Sequence, residues 1–455
     1  MIRMQRSKPR TSGTRVHKRS AVMHFTCDKN VSGLYFKPSQ MIDCDCSKGI
    51  LKTLPEWEYL IDSEGNQINC NFADLLEVGS VKVNRGSQSY EDEYYLITKA
   101  GSFLYYKPRE QGFYNLAVNR VKIVPFFVQT KEGGRLALCT RKGFLLASLD
   151  GGYVTPIDVG TLSAGALFKH RIFVAMREGI VKYSAPEDFT NFDESVDEGG
   201  SIEFPNCGGE IVAMKAYDDA LYIFFRSGIV RLKAGGEPAR FYAEQLDYTG
   251  GDIFSRTVCR CEHAIYFLAR NGLYRLRGKR VERLDLDVDF PTEETGLEGC
   301  SVWKDKPMIR YQDGDGTFQT IVVDRDGKST FFMNGLDLLG RGADGRVLFT
   351  DRSRYLCQLT DKGTHWNEAR FVAQETDFGW TGKKQLTCLR IYGEGSVTVS
   401  ILGEWLSKEM TLEFYQGVAE MKFNQAPYGE RFRMSFALGR ASKVTSVQVE
   451  FNTLK

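Results

Sequence analysis

Five histidines are scattered through 455 residues, and histidine is the usual proton carrier near neutral pH. His17 and His24 lie near the N-terminus, His170 and His263 each stand before a strand-forming run, and His365 precedes the last fifth of the chain. None sits beside a Gly-x-Ser-x-Gly elbow or within a His-Glu-x-x-His helix, so neither a serine triad nor a zinc hydrolase is expected and no catalytic residue is assigned. In RLDLDVDF, a strand would place Asp285, Asp287 and Asp289 on one side. Hard cations favour several carboxylates, but a calcium loop also needs a glycine turn, and a solvent-facing strand accounts for the pattern equally well. DGDG at 313–316 reads as a turn. Cys44/Cys46 and Cys259/Cys261 have one residue between them, not the two of a zinc knuckle, and the eleven cysteines read as reduced, packed thiols of a protein assembled in a reducing cytoplasm. No phosphate-cradling loop or dinucleotide fingerprint occurs, so no metal or cofactor is expected.

SLDGGYVTP at 148–156 resembles the Asp-box turn of sialidases, with Ser148, Asp150 and Gly152 in order but without the following Thr-Trp. That box is a folding device. A glycosidase would also need paired carboxylates and an arginine cluster, and neither can be picked out.

The elements that would hold any site are hairpins. YYLITKAGSFLYY, RLALCTRKGFLLA, IFVAMREGIVKY, LYIFFRSGIVRL and IYFLARNGLYRL align on Gly101, Gly143, Gly179, Gly228 and Gly272. Each has β-favouring residues, two mostly polar ones, then Gly and a second apolar run. A tight hairpin wants a residue at positive φ, where Gly carries no Cβ penalty. Weaker copies follow around Gly316 and in RVLFTDRSRYLCQL, where Ser353 takes the Gly place. The spacings are 42, 36, 49, 44, 44 and 37 residues. A strand-rich period near forty predicts an all-β fold, a β-propeller of about seven blades, with six to eight allowed. Ring closure calls for an N-terminal strand to complete the last blade, and residues 49–60, GILKTLPEWEYL, are placed to do so.

The cadence stops after His365. Residues 366–455 hold alternating runs such as SVTVSILG and VTSVQVEFN, the pattern of a small antiparallel sandwich. At the other end, residues 1–30 read as a basic arm: Arg3, Arg6, Lys8, Arg10, Arg15, Lys18 and Arg19 with no acid through residue 21. The expected division is arm 1–30, propeller 31–365 and sandwich 366–455. The formal charge is +2, so removing those seven leaves about −5 on the rest. No apolar run approaches the ~18 residues of a membrane span, and no secretory h-region opens the chain, so a soluble protein is expected.

Three longer segments carry a likeness. SGLYFKPSQMIDCDCSKGILKTLPEWEYL at 32–60, YSAPEDFTNFDES at 183–195 leading into GGEIVAMKAYDDALYIFFRSGIVRL at 208–232, and QETDFGWTGKKQLTCLRIYGEGSVTVSI at 374–401 together resemble a family of tailed-bacteriophage β-propeller structural proteins. Tyr35 stands where that family has Asn. The resemblance implies a non-enzymatic virion protein of the tail nozzle, hub or head-to-tail connector. It further implies a homo-oligomeric ring, hexamer favoured, that meets portal, adaptor or other tail proteins and gives double-stranded DNA a path through its opening. On that reading the basic arm touches DNA or a neighbouring subunit, while the acidic body leaves the channel wall unable to grip phosphate. The other reading is a propeller module that binds a surface glycan or receptor.

Overall fold

The computed structural model describes residues 16–454 except 27–32, 47–48, 73, 85–89, 118–123, 131–132, 141–142, 149–153, 195–197, 287, 313–315, 326, 328–329, 334–335 and 343. The architecture is all-β, and the chain divides into two units, residues 1–54 with 367–455 (unit 1) and residues 55–366 (unit 2).

Among the described residues unit 2 holds five four-stranded antiparallel sheets and one eight-stranded sheet, which a single parallel pair divides into two four-stranded antiparallel halves, numbered below as sheets 1 and 7. Sheets 1 to 6 begin with Leu75–Asn84, Val124–Thr130, Leu162–Phe168, Ile211–Tyr217, Cys259–Arg260 and Leu297–Trp303, and each is completed by the next three strands in sequence. Sheet 7 takes Asp337–Arg341, Val347–Thr350 and Leu356–Thr360 from the end of the unit and its fourth strand, Glu56–Tyr59, from the beginning. That fourth strand falls within the expected closing segment and covers an edge that would otherwise be open. From sheet 2 to sheet 7 the first strands of successive sheets neighbour one another, the first strand of sheet 1 neighbours the second strand of sheet 2, and Arg341 of sheet 7 pairs in parallel with Gly79 of sheet 1.

The apolar run LYIFF explains why the sheets stack. In sheet 4, Leu221, Ile223 and Phe225 pack with sheet 3, whereas Ala220, Tyr222 and Phe224 on the opposite face pack with sheet 5. All six are fully buried. A strand covered on both faces reads as a continuous apolar run, because period-two alternation distributes the side chains between two neighbours. The same division builds a core between sheets 5 and 6, through Tyr266, Leu268, Ile309 and Tyr311.

Unit 1 is built from both ends of the chain. Val16–Phe25 pairs with Lys443–Leu454, Pro38–Ile42 pairs with Ala369–Ala373, and the resulting eight- and five-stranded sheets share one core. Phe25 is fully buried, with its ring 5.3 Å from Phe371 and 5.1 Å from Phe436. This corrects two expectations. Part of the supposed arm, from Val16 on, is an integral strand, and residues 31–54 belong with the C-terminal sandwich, not with the hairpin repeat. The physical signal is alternation: Ala21, Met23 and Phe25 are buried and Val22 and His24 are exposed, a pattern hidden by the basic composition around it.

Candidate functional site

Four of the five turn glycines adopt positive φ: Gly101 (85°), Gly143 (116°), Gly179 (81°) and Gly272 (123°). Gly228 does not. It pairs with Phe225 across a two-residue turn, and a Cβ there would lie 2.1 Å from the carbonyl oxygen of Cys207. Glycine is needed at this position for close backbone approach, not for a left-handed conformation. In the weaker seventh copy the positive φ falls on Arg354 (63°), one place after Ser353.

The turns gather charge at one place. Lys99, Arg177 and Arg226, each two residues before a turn glycine, line a cavity of about 1080 Å³ in unit 2. Its walls come from the opening segments of six sheets: Leu76 and Glu77, 164–167, 212–216, 258–260, 299–302 and 339–341. Several of the lining positions are small. Ala164, Gly165, Ala166, Ala213, Gly299 and Gly340 all face it, and a Cβ on Gly340 would meet the Val78 carbonyl oxygen at 1.8 Å. A smaller cavity of about 320 Å³ adjoins it, sharing Glu210, Val212, Arg226, Ser255 and Glu294 and adding Arg270.

Seven basic side chains line the larger cavity (Lys99, Arg177, Lys215, Arg226, Arg256, Arg260, Arg341) against three carboxylates (Glu77, Glu210, Glu294). Around the rim, opposite charges alternate across sheets 3, 4 and 5. Glu210 takes Arg177 at 3.6 Å and Arg226 at 2.8 Å, and Asp252 takes Arg226 at 3.9 Å and Arg270 at 3.4 Å. These groups are substantially exposed, so each pair contributes at most about 1 kcal/mol. Deeper in, Arg256 donates to the carbonyl oxygens of Leu76 at 2.7 Å and Leu297 at 3.3 Å, which fixes its guanidinium between sheets 1 and 6. Burial pushes the Glu77 carboxyl up, opposed by the charges of Arg256 and Lys215 and a hydrogen bond from Tyr95.

Other groups of unit 2 with chemical potential also join its sheets or pack within them. His263 bridges Asp305 (Nδ1 to Oδ2, 2.6 Å) and the Tyr266 hydroxyl (Nε2 to Oη, 2.7 Å), an Asp–His–Tyr line. Tyr266 is fully buried, and its phenol is pushed up to about 12, chiefly by burial. Asp305 also holds Arg325 at 2.9 Å. Because Asp305 follows the first strand of sheet 6, the line ties sheets 5 and 6 together. The Cys259 and Cys300 thiols share a hydrogen bond beside the cavity, and both are pushed well above the ordinary thiol value, Cys259 by its bond to Cys261 and burial, and Cys300 by its bond to Cys259 and burial. Protonated thiols are poor nucleophiles.

His170 pairs with Glu187 at 2.5 Å on the surface, and His365 stacks on Trp57 at 4.5 Å. The expected aspartate strand is not formed: the strand ends at Arg283, Asp285 and Asp289 are exposed, and Asp287 lies outside the described residues. Among the described residues no cluster of three metal-type ligands occurs. Of the basic arm, Arg3, Arg6, Lys8, Arg10 and Arg15 lie outside the described residues. Lys18 pairs with Glu450 at 3.2 Å, and Arg19 lies over the Trp380 ring at 4.5 Å, so both are engaged within unit 1.

No family model matches the chain, and no curated protein does. Solved structures that resemble it include the extracellular domains of a one-component system (8% identity, 91% of this chain and 63% of that one, TM-score 0.47) and of a hybrid two-component system (11% identity, 91% and 61%, TM-score 0.46), both from B. thetaiotaomicron. The chain thus spans about three fifths of the length of each.

Three of the seven cavity cations, Lys99, Arg177 and Arg226, follow a local pattern in the sequence, and Lys215, Arg256, Arg260 and Arg341 do not. In all five repeats the residue two places before the turn glycine is basic: Lys99, Arg141, Arg177, Arg226 and Arg270. Of these, Arg141 lies outside the described residues.

Proposed function

We propose that this chain is a non-enzymatic virion structural protein of a tailed phage, one that builds a homo-oligomeric ring of the nozzle, hub or connector type. Unit 2 serves in this reading as a seven-bladed propeller scaffold. The likeness of residues 32–60, 183–232 and 374–401 to that family supports it, and one structural observation carries it: the edge strand of the five-stranded sheet in unit 1 exposes Met410 among polar side chains, with Trp405 and Tyr415 exposed on either side of it in sequence. Among the described residues Ser407–Glu413 pairs only with Ser396–Leu402. Met410 lies opposite the fully buried Val399 yet is 42% exposed, so the core is open at this edge. Trp405 and Tyr415 nearby in sequence are 79% and 78% exposed. An unpaired strand with exposed apolar side chains is a template for association, and aromatic side chains are preferred anchors in interfaces.

In such a ring the genome passes through the opening between subunits.

Light scattering on the purified protein tests the reading. The expected mass is a multiple of 51.5 kDa, falling toward the monomer in Trp405→Ser combined with Met410→Lys. A wild-type monomer at micromolar concentration would remove the ring from the proposal. The second reading, a ligand-binding propeller, is favoured by the cationic cavity itself.

A further inference from the structure

We propose that the central cavity of unit 2 is a binding site for a compact polyanion carrying several phosphate groups. The inference is independent of the ring, since it concerns one chain only. Five of the seven cavity cations, Lys99, Lys215, Arg256, Arg260 and Arg341, have no carboxylate at ion-pair distance among the described residues. They reach the space from sheets 1, 4, 5 and 7 and the segment before sheet 5, so their convergence is a property of the fold and not of one charged stretch. With three carboxylates against seven cations, the cavity holds an excess of four positive charges.

Such an excess is costly when the cavity is empty. Like charges lining one space repel, and at physiological salt the Debye length of ~8 Å screens them only in part. The carboxylate that would best offset them, Glu77, is itself held toward its neutral form by burial. A multivalent anion relieves the repulsion, and no small-molecule cation does. Phosphate is favoured over a single carboxylate because the donors are spread around the wall: Arg256 is braced by two backbone carbonyls, and Arg341 donates to the carbonyl of Arg260 at 3.4 Å. Fixed guanidinium forks match phosphate oxygens, and Lys215 adds a mobile point charge. The volume suits a ligand of nucleotide size.

Sodium triphosphate is the probe, added to the full-length protein and followed by calorimetry and by thermal melting. Saturable binding is expected, with a rise in melting temperature beyond that given by sodium chloride at equal ionic strength. Lys215→Gln and Arg341→Gln are each expected to weaken binding about tenfold, while Lys422→Gln, an exposed change in unit 1, leaves it unaltered. Circular dichroism confirms that the variants fold, and should Arg341→Gln fail to do so, Lys215→Gln alone carries the test. Tighter binding of ATP than of triphosphate supports a nucleotide as the source, and equal binding supports an inorganic polyphosphate. A triphosphate effect equal to that of matched sodium chloride, or binding untouched by folded Lys215→Gln and Arg341→Gln, overturns the proposal.

Discussion

Single residues in this molecule are constrained for reasons that differ between look-alike positions. Gly228 aligns with Gly101, Gly143, Gly179 and Gly272, but only the other four are held by positive φ. At Gly228 the Cys207 carbonyl fills the place of a side chain, so Gly228→Val should cost about 3 kcal/mol or more, and even Gly228→Ala should destabilise clearly. Unchanged urea unfolding of the alanine variant would contradict the close approach. Glu450 supplies a pH-dependent case. Burial raises its pKa, but hydrogen bonds from Lys18 and Arg390 outweigh that and leave it below its ordinary value of 4.5. The sign follows: a folded-state pKa below the unfolded one gives stability that is present above 4.5 and lost as pH falls through the folded value. Glu450→Gln should therefore lower unfolding free energy by about 1–2 kcal/mol at pH 7. The gap from wild type should close in acid, and a gap that widened there would contradict the ion pairs.

Elements explain why the hairpin repeat was readable and the N-terminal strand was not. A doubly buried strand such as Ala220–Phe225 announces itself by an unbroken apolar run, and the turn behind it by Arg-Ser-Gly. Val16–Phe25 has three buried side chains among those described, after a run of cations, and its partner Lys443–Leu454 lies more than 400 residues away, so nothing local gave its pairing. The same distance problem governs the seam between sheets 7 and 1. There the backbone of Gly340 comes so close to Val78 that Gly340→Ala should break the parallel pairing at Arg341 and Gly79. A loss of about 3 kcal/mol or more, with an early melting transition of unit 2, is the expected result. A variant that melts like wild type would show that the seam is looser than described.

At the scale of the whole molecule, unit 1 is a sandwich whose strands come from both ends of the sequence, and unit 2 occupies the middle. The open edge at Met410 and Trp405 belongs to this scale, and the light-scattering mass tests whether another copy covers it. So does the cavity, because its walls come from six segments far apart in sequence. Alternation, glycine turns and a forty-residue cadence were enough to fix an all-β chain of stacked hairpins, since each depends on neighbours a few places apart. The basic residue before each turn was equally local. What only the tertiary structure decided was which of those cations face one another, which strand from the N-terminus joins the C-terminal sheet, and where Gly228 is needed. These depend on backbones meeting across long stretches of sequence, and short-range pattern carries no information about such approaches.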